Sequence, residues 1–484
     1  MVFETFLSPA YSSNVRGVGG DTLVNLRPEI AGPGAASERM WVHTPALRVF
    51  APQTVTTACR ALHLTGGGRV FQVAGTTLWE ILSNGNRANR GVVSSISGPV
   101  SIASNEDEMV LVDGVAGYLY NFAANTLSLI SDPEFPNGAS TVDFRRGFFI
   151  VEEPGSIFFR WSEVRNGAVW PTLNRASAED YPDVVVAIVA LGTDVLVFGS
   201  QSLQWFYAEG ENADQIWLPI QSAAIQIGTD ARQSLAVARD SVYFLGSGPD
   251  GSARVFRTQG YSVQQISTPG IYGILSTASD LSGAVGRVHS FGGHTYYVLT
   301  IAAIEKTLVY DVDLGEWHER AWMDPDTGIL SRWRGLHACF GHGFTLVGDS
   351  NGNAVYKLSD TDYRDEIPDR SGDWWILRER VFGHMGSEGK MVQYLNFEAH
   401  GRKGVGTVTG QGVAPVVMLS YSNDGGMTYG SSRELDVGAL GQYDFRMRTV
   451  LCGQGRDRMW RLRMTDPIPV AWTMATGDVR VLSR

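Results

Sequence analysis

One short strand pattern recurs from residue 68 to residue 349 and limits what the chain can fold into. It reads GRVFQVAG at 68–75, EMVLVDG at 108–114, GFFIVEE at 147–153, DVLVFGS at 194–200, SVYFLGS at 241–247, HTYYVLT at 294–300 and GFTLVGD at 343–349. The last apolar residues are Val73, Val112, Val151, Phe198, Leu245, Leu299 and Val347, giving steps of 39, 39, 47, 47, 54 and 48 residues. A spacing of this size implies equivalent units, each too small to bury its own apolar face. One four-stranded antiparallel sheet per unit, stacked about an axis, solves that problem and predicts a β-propeller. Runs that are apolar at almost every position suit inner strands covered on both faces by neighbouring blades. Many are followed by a turn and a second strand with an aromatic residue or leucine, as in GTTLWEI, AGYLYNF, SQSLQWFYA, SARVFRT and NAVYKLS. In TLVYDVDLGEWHERA (307–321), Trp317 is expected to pack between blades. Seven anchors predict seven blades, or six if one anchor belongs to a closing strand. A set of stacked β-sandwiches is the alternative, but no linker interrupts the period.

The rest of the chain divides around this repeat. Residues 1–55 show little alternation and many Gly, Pro and Ser, and read as an extended arm lying on something else. Residues 56–365 hold the propeller. Around SDTDYRDEIPDRSGDWW the texture turns polar and acidic, which reads as a linker. Residues 366–484 then carry further alternating strands and predict a C-terminal β-sandwich-like domain. The whole chain is therefore expected to be all-β, and its 56 glycines among 484 residues fit many turns.

Charge is split along the same line. Residues 1–365 carry 24 Lys+Arg against 37 Asp+Glu, a balance of −13, whereas residues 366–484 carry 15 against 13, a balance of +2. An acidic body argues against a protein that grips duplex DNA, which needs a basic surface. It permits a conduit that DNA slides past. The longest apolar run, Val184 to Leu191, is far too short to span a bilayer, and the start MVFETFLSPAYSS has no basic and apolar leader pattern, so no membrane insertion is expected. Cys59, Cys339 and Cys452 are too few and too far apart for a disulfide framework, which suits a reducing compartment.

The stretch that most looks like chemistry is SNDGGMTY, from Ser422 to Tyr429. Its Ser-x-Asp-x-Gly-x-Thr-aromatic order resembles the Asp-box of sialidase-type propellers, with Tyr429 where tryptophan is usual. The same residues fold a hairpin without any enzyme. Asp424 can accept backbone N–H bonds across the turn with Ser422 beside it, Gly425 and Gly426 supply positive φ, and Tyr429 packs on the hairpin. The box lies outside the propeller repeats. Sialidase chemistry further needs arginines converging on a carboxylate and a tyrosine nucleophile with an acid partner. The chain has 35 arginines against 4 lysines, but spacing alone does not bring three together.

Other candidates are weaker. His337, Cys339 and His342 in HACFGH resemble metal ligands but lack a fourth at a telling distance, and His342 between glycines signals a turn. SNEDEM (104–109) and DPDTG (324–328) read as solvated carboxylate turns without EF-hand spacing, and GGGRVF (66–71) fails the phosphate-loop pattern. RDRMWRLR (456–463) interleaves basic and apolar residues. Arg456 and Arg458 could face DNA, but a half-exposed strand over a Met459, Trp460 and Leu462 core is the expected reading, with Arg461 and Arg463 on one face. No catalytic residue, cofactor or metal is expected.

The two ends carry a family resemblance. VNLRPEI (24–30) and VHTPALRVFAPQ (42–53) precede the propeller, and SNDGGMTYG with GRDRMWRLRMTDPIPV closes the chain. This combination resembles the tail hub, or nozzle, proteins of short-tailed bacteriophages, also called packaged-DNA stabilisation proteins. Ala46 stands where glycine is expected in the TPGL-like motif, which puts the turn after Pro45 in question. The resemblance implies a structural virion protein assembled in the host cytoplasm. It implies a homohexameric ring below the portal adaptor, or head-to-tail connector. That ring would extend the DNA channel, retain packaged DNA without sequence preference, and carry a tail needle or plug and fibres or spikes. The rival reading is a carbohydrate- or receptor-binding propeller using aromatics such as Trp161, Trp170, Trp205 and Tyr207. A sialidase-like glycan hydrolase is the more distant one.

Overall fold

The computed structural model describes residues 2–5, 21–32, 37–209, 216–221, 223–248, 250–368 and 373–482. Six four-stranded antiparallel sheets stand alone as blades. Five are built from consecutive strands: Cys59–Leu64 to Arg87–Val92, Ser101–Ser104 to Thr126–Leu129, Val142–Arg145 to Arg175–Ser177, Val185–Leu191 to Trp217–Pro219, and Ala236–Ala238 to Ser262–Gln265. The last joins Gly335–Gly341, Phe344–Asp349 and Val355–Ser359 to Ala46–Ala51. Between these two groups, Val285–Phe291, His294–Ile301, Lys306–Asp311 and Glu316–Met323 form one more four-stranded unit, which opens a ten-stranded sheet. The propeller thus has six free-standing blades and a further one shared with the C-terminal body. In chain order the shared unit is the sixth of seven around the ring. The innermost strands neighbour one another in that order, and Gly335–Gly341 returns to Cys59–Leu64.

All seven repeat anchors lie on the second strand of their blade, not on the innermost one. That strand has sheet neighbours on both edges and a blade on both faces, so every residue of Val70–Ala74, Glu108–Val112 and Phe148–Glu152 is buried. The innermost strand faces the axis along one edge and tolerates polar residues, as in Ser101–Ser104. Aromatic and β-branched side chains fill the gaps between blades. Tyr243, Leu245, Tyr297, Leu299 and Trp317 share one such cluster, and Trp317 Nε1 donates to Ile266 O at 2.9 Å.

The segment expected as an arm contributes strands to both bodies. Ala46–Ala51 pairs antiparallel with Val355–Ser359 and closes the ring, with Ala46 opposite Ser359 and no positive φ at that position. Thr22–Val24 runs between the shared blade and the C-terminal body, pairing Val24 with Glu319 on one side and Thr22–Val24 with Glu379–Val381 on the other. Leu26–Ile30 and Arg39–His43 join the second sheet of the sandwich, where Trp41 sits opposite Trp472. The segment read as a linker forms a small hairpin, Arg364–Glu366 with Asp373–Trp375, and Asp365 Oδ1 accepts the Leu47 N–H at 2.8 Å.

The sandwich core holds Trp41, Tyr394, Phe397, Val417, Leu419, Trp460, Leu462 and Trp472 between its two sheets. Among the described residues there is one α-helix, Pro269–Leu275, and no helix is long and apolar enough to cross a membrane.

Candidate functional site

The propeller axis is the place where this fold most often holds a ligand. Here a cavity of about 230 Å³ lies on the axis, lined by Leu62, Ile102, Val142, Ile188 and Val237 with Arg287 and His337. Arg287 blocks it. Its Nε donates to His337 Nδ1 at 2.9 Å, and Nη1 donates to Gln233 O at 3.2 Å. Burial lowers the Arg287 guanidinium to about 10 and keeps His337 neutral, well below the usual imidazole range. One mouth of the axis opens into a cavity of about 460 Å³ whose lining includes Arg60, Asp113, Asp230 and Arg232.

These arginines do not form a carboxylate clamp. Arg60 donates to the carbonyls of Gly75, Ser95, Gly98 and Ser97, binding together the loop that leads into the second blade. Asp113 accepts from Ser95, Val115 and Ala116 N–H groups. Arg232 donates to Ser140 Oγ at 2.7 Å. Among the described residues, no tyrosine or glutamate lines either cavity.

In the Asp-box segment, Ser422 Oγ donates to Asp424 Oδ1 at 2.6 Å and accepts from Gly426 N–H at 2.9 Å. Thr428 N–H donates to both Asp424 oxygens at 3.0 and 3.1 Å. The bonds from Ser422 and Thr428 hold the Asp424 carboxyl below its ordinary range. Gly425 and Gly426 adopt φ of +78° and +89°, and a Cβ on Gly426 would meet Met459 Sδ at 3.1 Å. Tyr429 is stacked under the Arg461 guanidinium at 3.8 Å. Ser422, Asp424 and Thr428 are thus turned inward on the turn itself, while Asn423 Oδ1 accepts from Arg458 Nε at 2.9 Å.

The other sequence candidates separate into structural tasks. His337 serves Arg287, Cys339 packs in the apolar cluster around Ala51, Val70 and Leu346, and His342, at φ +53°, bonds Ile81 O at 2.9 Å. Asn105 Oδ1 caps the 104–109 turn through Asp107 and Glu108 N–H, and Asp324 Oδ1 does the same for 324–328. At 66–71, Gly68 N–H donates to Thr65 O in a tight turn between strands. Trp161, Trp170 and Trp205 are core residues, and only Tyr207 of that set is exposed. The one His/Asp group with metal-like spacing among the described residues is His294, Asp311 and Asp313. Its atoms are already engaged: His294 bridges Asp311 and Glu29, and Asp313 bonds Thr295 N–H and Arg239.

The strand Asp457–Met464 has the expected buried Met459, Trp460 and Leu462, with Arg461 and Arg463 half-buried, and Arg458 rules out the alternative reading. It does not face solvent or DNA. It is fully buried, with its guanidinium 4.1 Å from the Tyr394 ring centre and 3.9 Å from that of Tyr421, and it donates to Cys452 O and Gln454 O. The aromatic residues that accept it lie 64 and 37 positions upstream, so no local pattern announced it.

The feature missed entirely from sequence is the junction between propeller and sandwich. Asn25, buried at φ +53°, donates through Nδ2 to Ala321 O and Leu377 O, both at 2.8 Å, and accepts Ala321 N–H through Oδ1 at 2.9 Å. One side chain therefore ties the N-terminal strand to the shared blade and to the sandwich. Beside it, Arg380 pairs with Asp21 in a buried contact at 3.2 Å. The continuous ten-stranded sheet makes this junction stiff: hydrogen-bonded strands run without a break from Val285–Phe291 on the propeller axis to Arg433–Asp436 in the sandwich.

Comparison with known proteins agrees with both bodies. The family model described as bacteriophage P22 Gp10, beta-propeller, matches residues 19–363, and the one described as bacteriophage P22 Gp10, beta-sandwich, matches residues 378–480. No curated protein matches the chain. Among solved structures, the extracellular domain of a one-component system from B. thetaiotaomicron overlaps at 9% identity and a TM-score of 0.44, over 64% of this chain and 39% of that one. The Neurospora crassa Pan2 WD40 domain overlaps at 10% identity and a TM-score of 0.41, over 63% and 90%. Overlaps this loose carry nothing about function. The two family matches together span the N-terminal strands, the ring and the sandwich, and on them the chain belongs to the bacteriophage P22 Gp10 family, the structural proteins of a phage tail.

Proposed function

We propose that this chain is one subunit of a tail-hub ring. The ring continues the DNA channel below the portal adaptor, retains the packaged genome until ejection, and carries a needle or fibres. The observation that carries this reading is the family match across both bodies, joined here by one continuous sheet. A hub must bear load between the head above and the needle or fibres below. A sheet that runs from the propeller axis into the sandwich transmits force through many hydrogen bonds at once.

The mechanism is mechanical. The cavity of about 230 Å³ on the axis of a single propeller is far too small for a duplex, so DNA would pass through the lumen that several copies enclose. The balance of −13 over residues 1–365 would keep that wall from gripping the polyanion, while loops at the propeller rims meet the adaptor and adjacent subunits.

The test is assembly. Light scattering of the purified chain mixed with a portal–adaptor complex, with negative-stain images of the same peak, should show sixfold rings. Six copies of 52.7 kDa add about 316 kDa to the complex. A chain that remains a 52.7 kDa monomer and binds no tail component would end this reading.

A further inference from the structure

The two faces of the shared blade differ. The face toward the fifth blade is apolar, with Tyr297, Leu299 and Leu308. The face toward the last blade carries His289, His318 and Arg320, which are 6%, 3% and 1% exposed. Arg320 Nη1 lies 3.3 Å from His289 Nε2, while Arg320 Nε and Nη2 and both ring nitrogens of His318 have no protein partner. The guanidinium is held between two rings, 5.3 Å from the centre of Tyr296 and 4.9 Å from that of Trp333. His318 sits edge-on to the same Tyr296, at 5.8 Å. Arg27 approaches from the N-terminal strand, its Nη1 3.4 Å from Tyr296 Oη, and its buried Nε is also unpartnered.

The carboxylates nearby are engaged elsewhere. Asp311 bonds His294 and two backbone N–H groups, and Glu29 bonds Arg27 and His294. Glu316 lies two residues before His318 on the same strand face. It pairs with Arg39, its second oxygen is unpartnered, and it makes no bond to His318 or Arg320. A buried guanidinium without an anion is costly, and aromatic faces offset only part of that cost. Arg320 Nε and Nη2, the one N–H of the His318 imidazole and Arg27 Nε are thus left without a protein acceptor.

We propose that this cluster binds a small monovalent anion of halide size between Arg320 and His318, at the face where the N-terminal strand meets the shared blade. The anion supplies the missing acceptor and screens Arg320 from Arg27. It enters as that strand docks, because the finished interface is closed to solvent. Docking of the N-terminal segment is therefore halide-dependent, independently of ring assembly.

Bromide is the probe. Crystals grown from the full chain unfolded and refolded in sodium bromide, with no chloride present, should give an anomalous peak within hydrogen-bonding distance of Arg320 Nε or Nη2. A map with bromide peaks on the surface and none at Arg320 overturns the proposal. In solution, the thermal midpoint of the full chain should be several degrees higher in potassium chloride than in potassium gluconate at equal ionic strength. Arg320→Met keeps the volume and removes the charge, and should lose that difference. An equal difference in the variant, or none in the parent, also counts against the site. If Arg320→Met does not fold, the bromide map of the parent still decides.

Discussion

The first five blades and the last two solve the same packing problem by different means. Each of the first five is made from one contiguous stretch and is sealed to its neighbour chiefly by apolar side chains, as between Tyr243, Leu245, Tyr297 and Leu299, with a few bonds such as Ala190 N–H to Asp143 Oδ2 at 2.7 Å. The last two take help from far away in the chain. One borrows its outer strand from Ala46–Ala51, and the other is extended by Thr22–Val24 into the sandwich. Their interfaces carry Asn25, Arg320, His318 and the Arg380–Asp21 pair, all buried. A contiguous blade closes short loops at small entropic cost, and non-directional burial is enough to hold it. A distant segment has many apolar surfaces on which it could land. Directional hydrogen bonds penalise every register but one, because a misplaced buried polar group loses its partner.

The contrast can be broken experimentally. The largest effect is expected from a chain beginning at residue 53, which lacks both the closing strand and Asn25. It should lose its cooperative thermal transition and become protease-sensitive through the propeller. A retained sharp transition would mean that the borrowed strands are dispensable.

Next in size is Tyr297→Ala at the apolar interface, where the ring is fully buried and its hydroxyl donates to Ser234 O at 2.8 Å. Denaturant unfolding should show a loss of about 3–5 kcal/mol, as for other large-to-small core changes. Asn25→Ala should cost about 2–4 kcal/mol, since it orphans two carbonyls and one N–H and places a Cβ residue without a side-chain bond at positive φ. Hydrogen exchange should then rise at Leu377 and Ala321 and stay unchanged in the first five blades. Uniform exchange across the molecule would deny the junction its special role.

Buried titratable groups of both kinds occur in both groups of blades, with His63 in the first blade and Asp311 and Glu319 in the shared one, and they give stability a pH dependence of two opposite signs. Glu152, in the third blade, accepts from Thr141 Oγ1 at 2.6 Å and from Thr141 N–H, and burial pushes its carboxyl up to about 7. The folded chain therefore holds a proton that the unfolded chain has released. That contribution is complete below the ordinary value of 4.5 and is lost as pH rises through 7. The buried imidazoles of His289, His318 and His337 are lowered by burial, so their contribution is complete above 6.5 and is lost as pH falls. Glu152→Gln should gain up to about 3 kcal/mol at pH 8 relative to the parent and nothing at pH 4, read from denaturant midpoints. An equal gain at both pH values would mean that the charge is not the cause.

The smallest effect belongs to Asp424→Ala. The box sits at the end of an exposed hairpin, so faster exchange at Thr428 N–H is expected, with no change in the global midpoint. A large drop in the midpoint would give the hairpin a part in the sandwich core that its geometry does not suggest.

By itself the sequence determined the all-β class, the period of the blades, a second β body after the ring, and the residues of the Asp-box turn. These are local properties. A strand buried on both faces must be apolar at every position, and a tight turn needs Asp424, Gly425 and Gly426 within a few residues of one another. The tertiary structure decided the rest. It showed that the anchors are second strands rather than innermost ones. It showed that Ala46–Ala51 closes the ring and that Arg458 is sandwiched between Tyr394 and Tyr421. It also set Asn25 against Ala321 and Leu377, separations of 296 and 352 residues. An arginine on a strand reads the same whether it meets water or two aromatic rings, and an asparagine in a polar stretch reads as a turn. Their partners are chosen by which surfaces meet when the chain closes, and no local pattern encodes that choice.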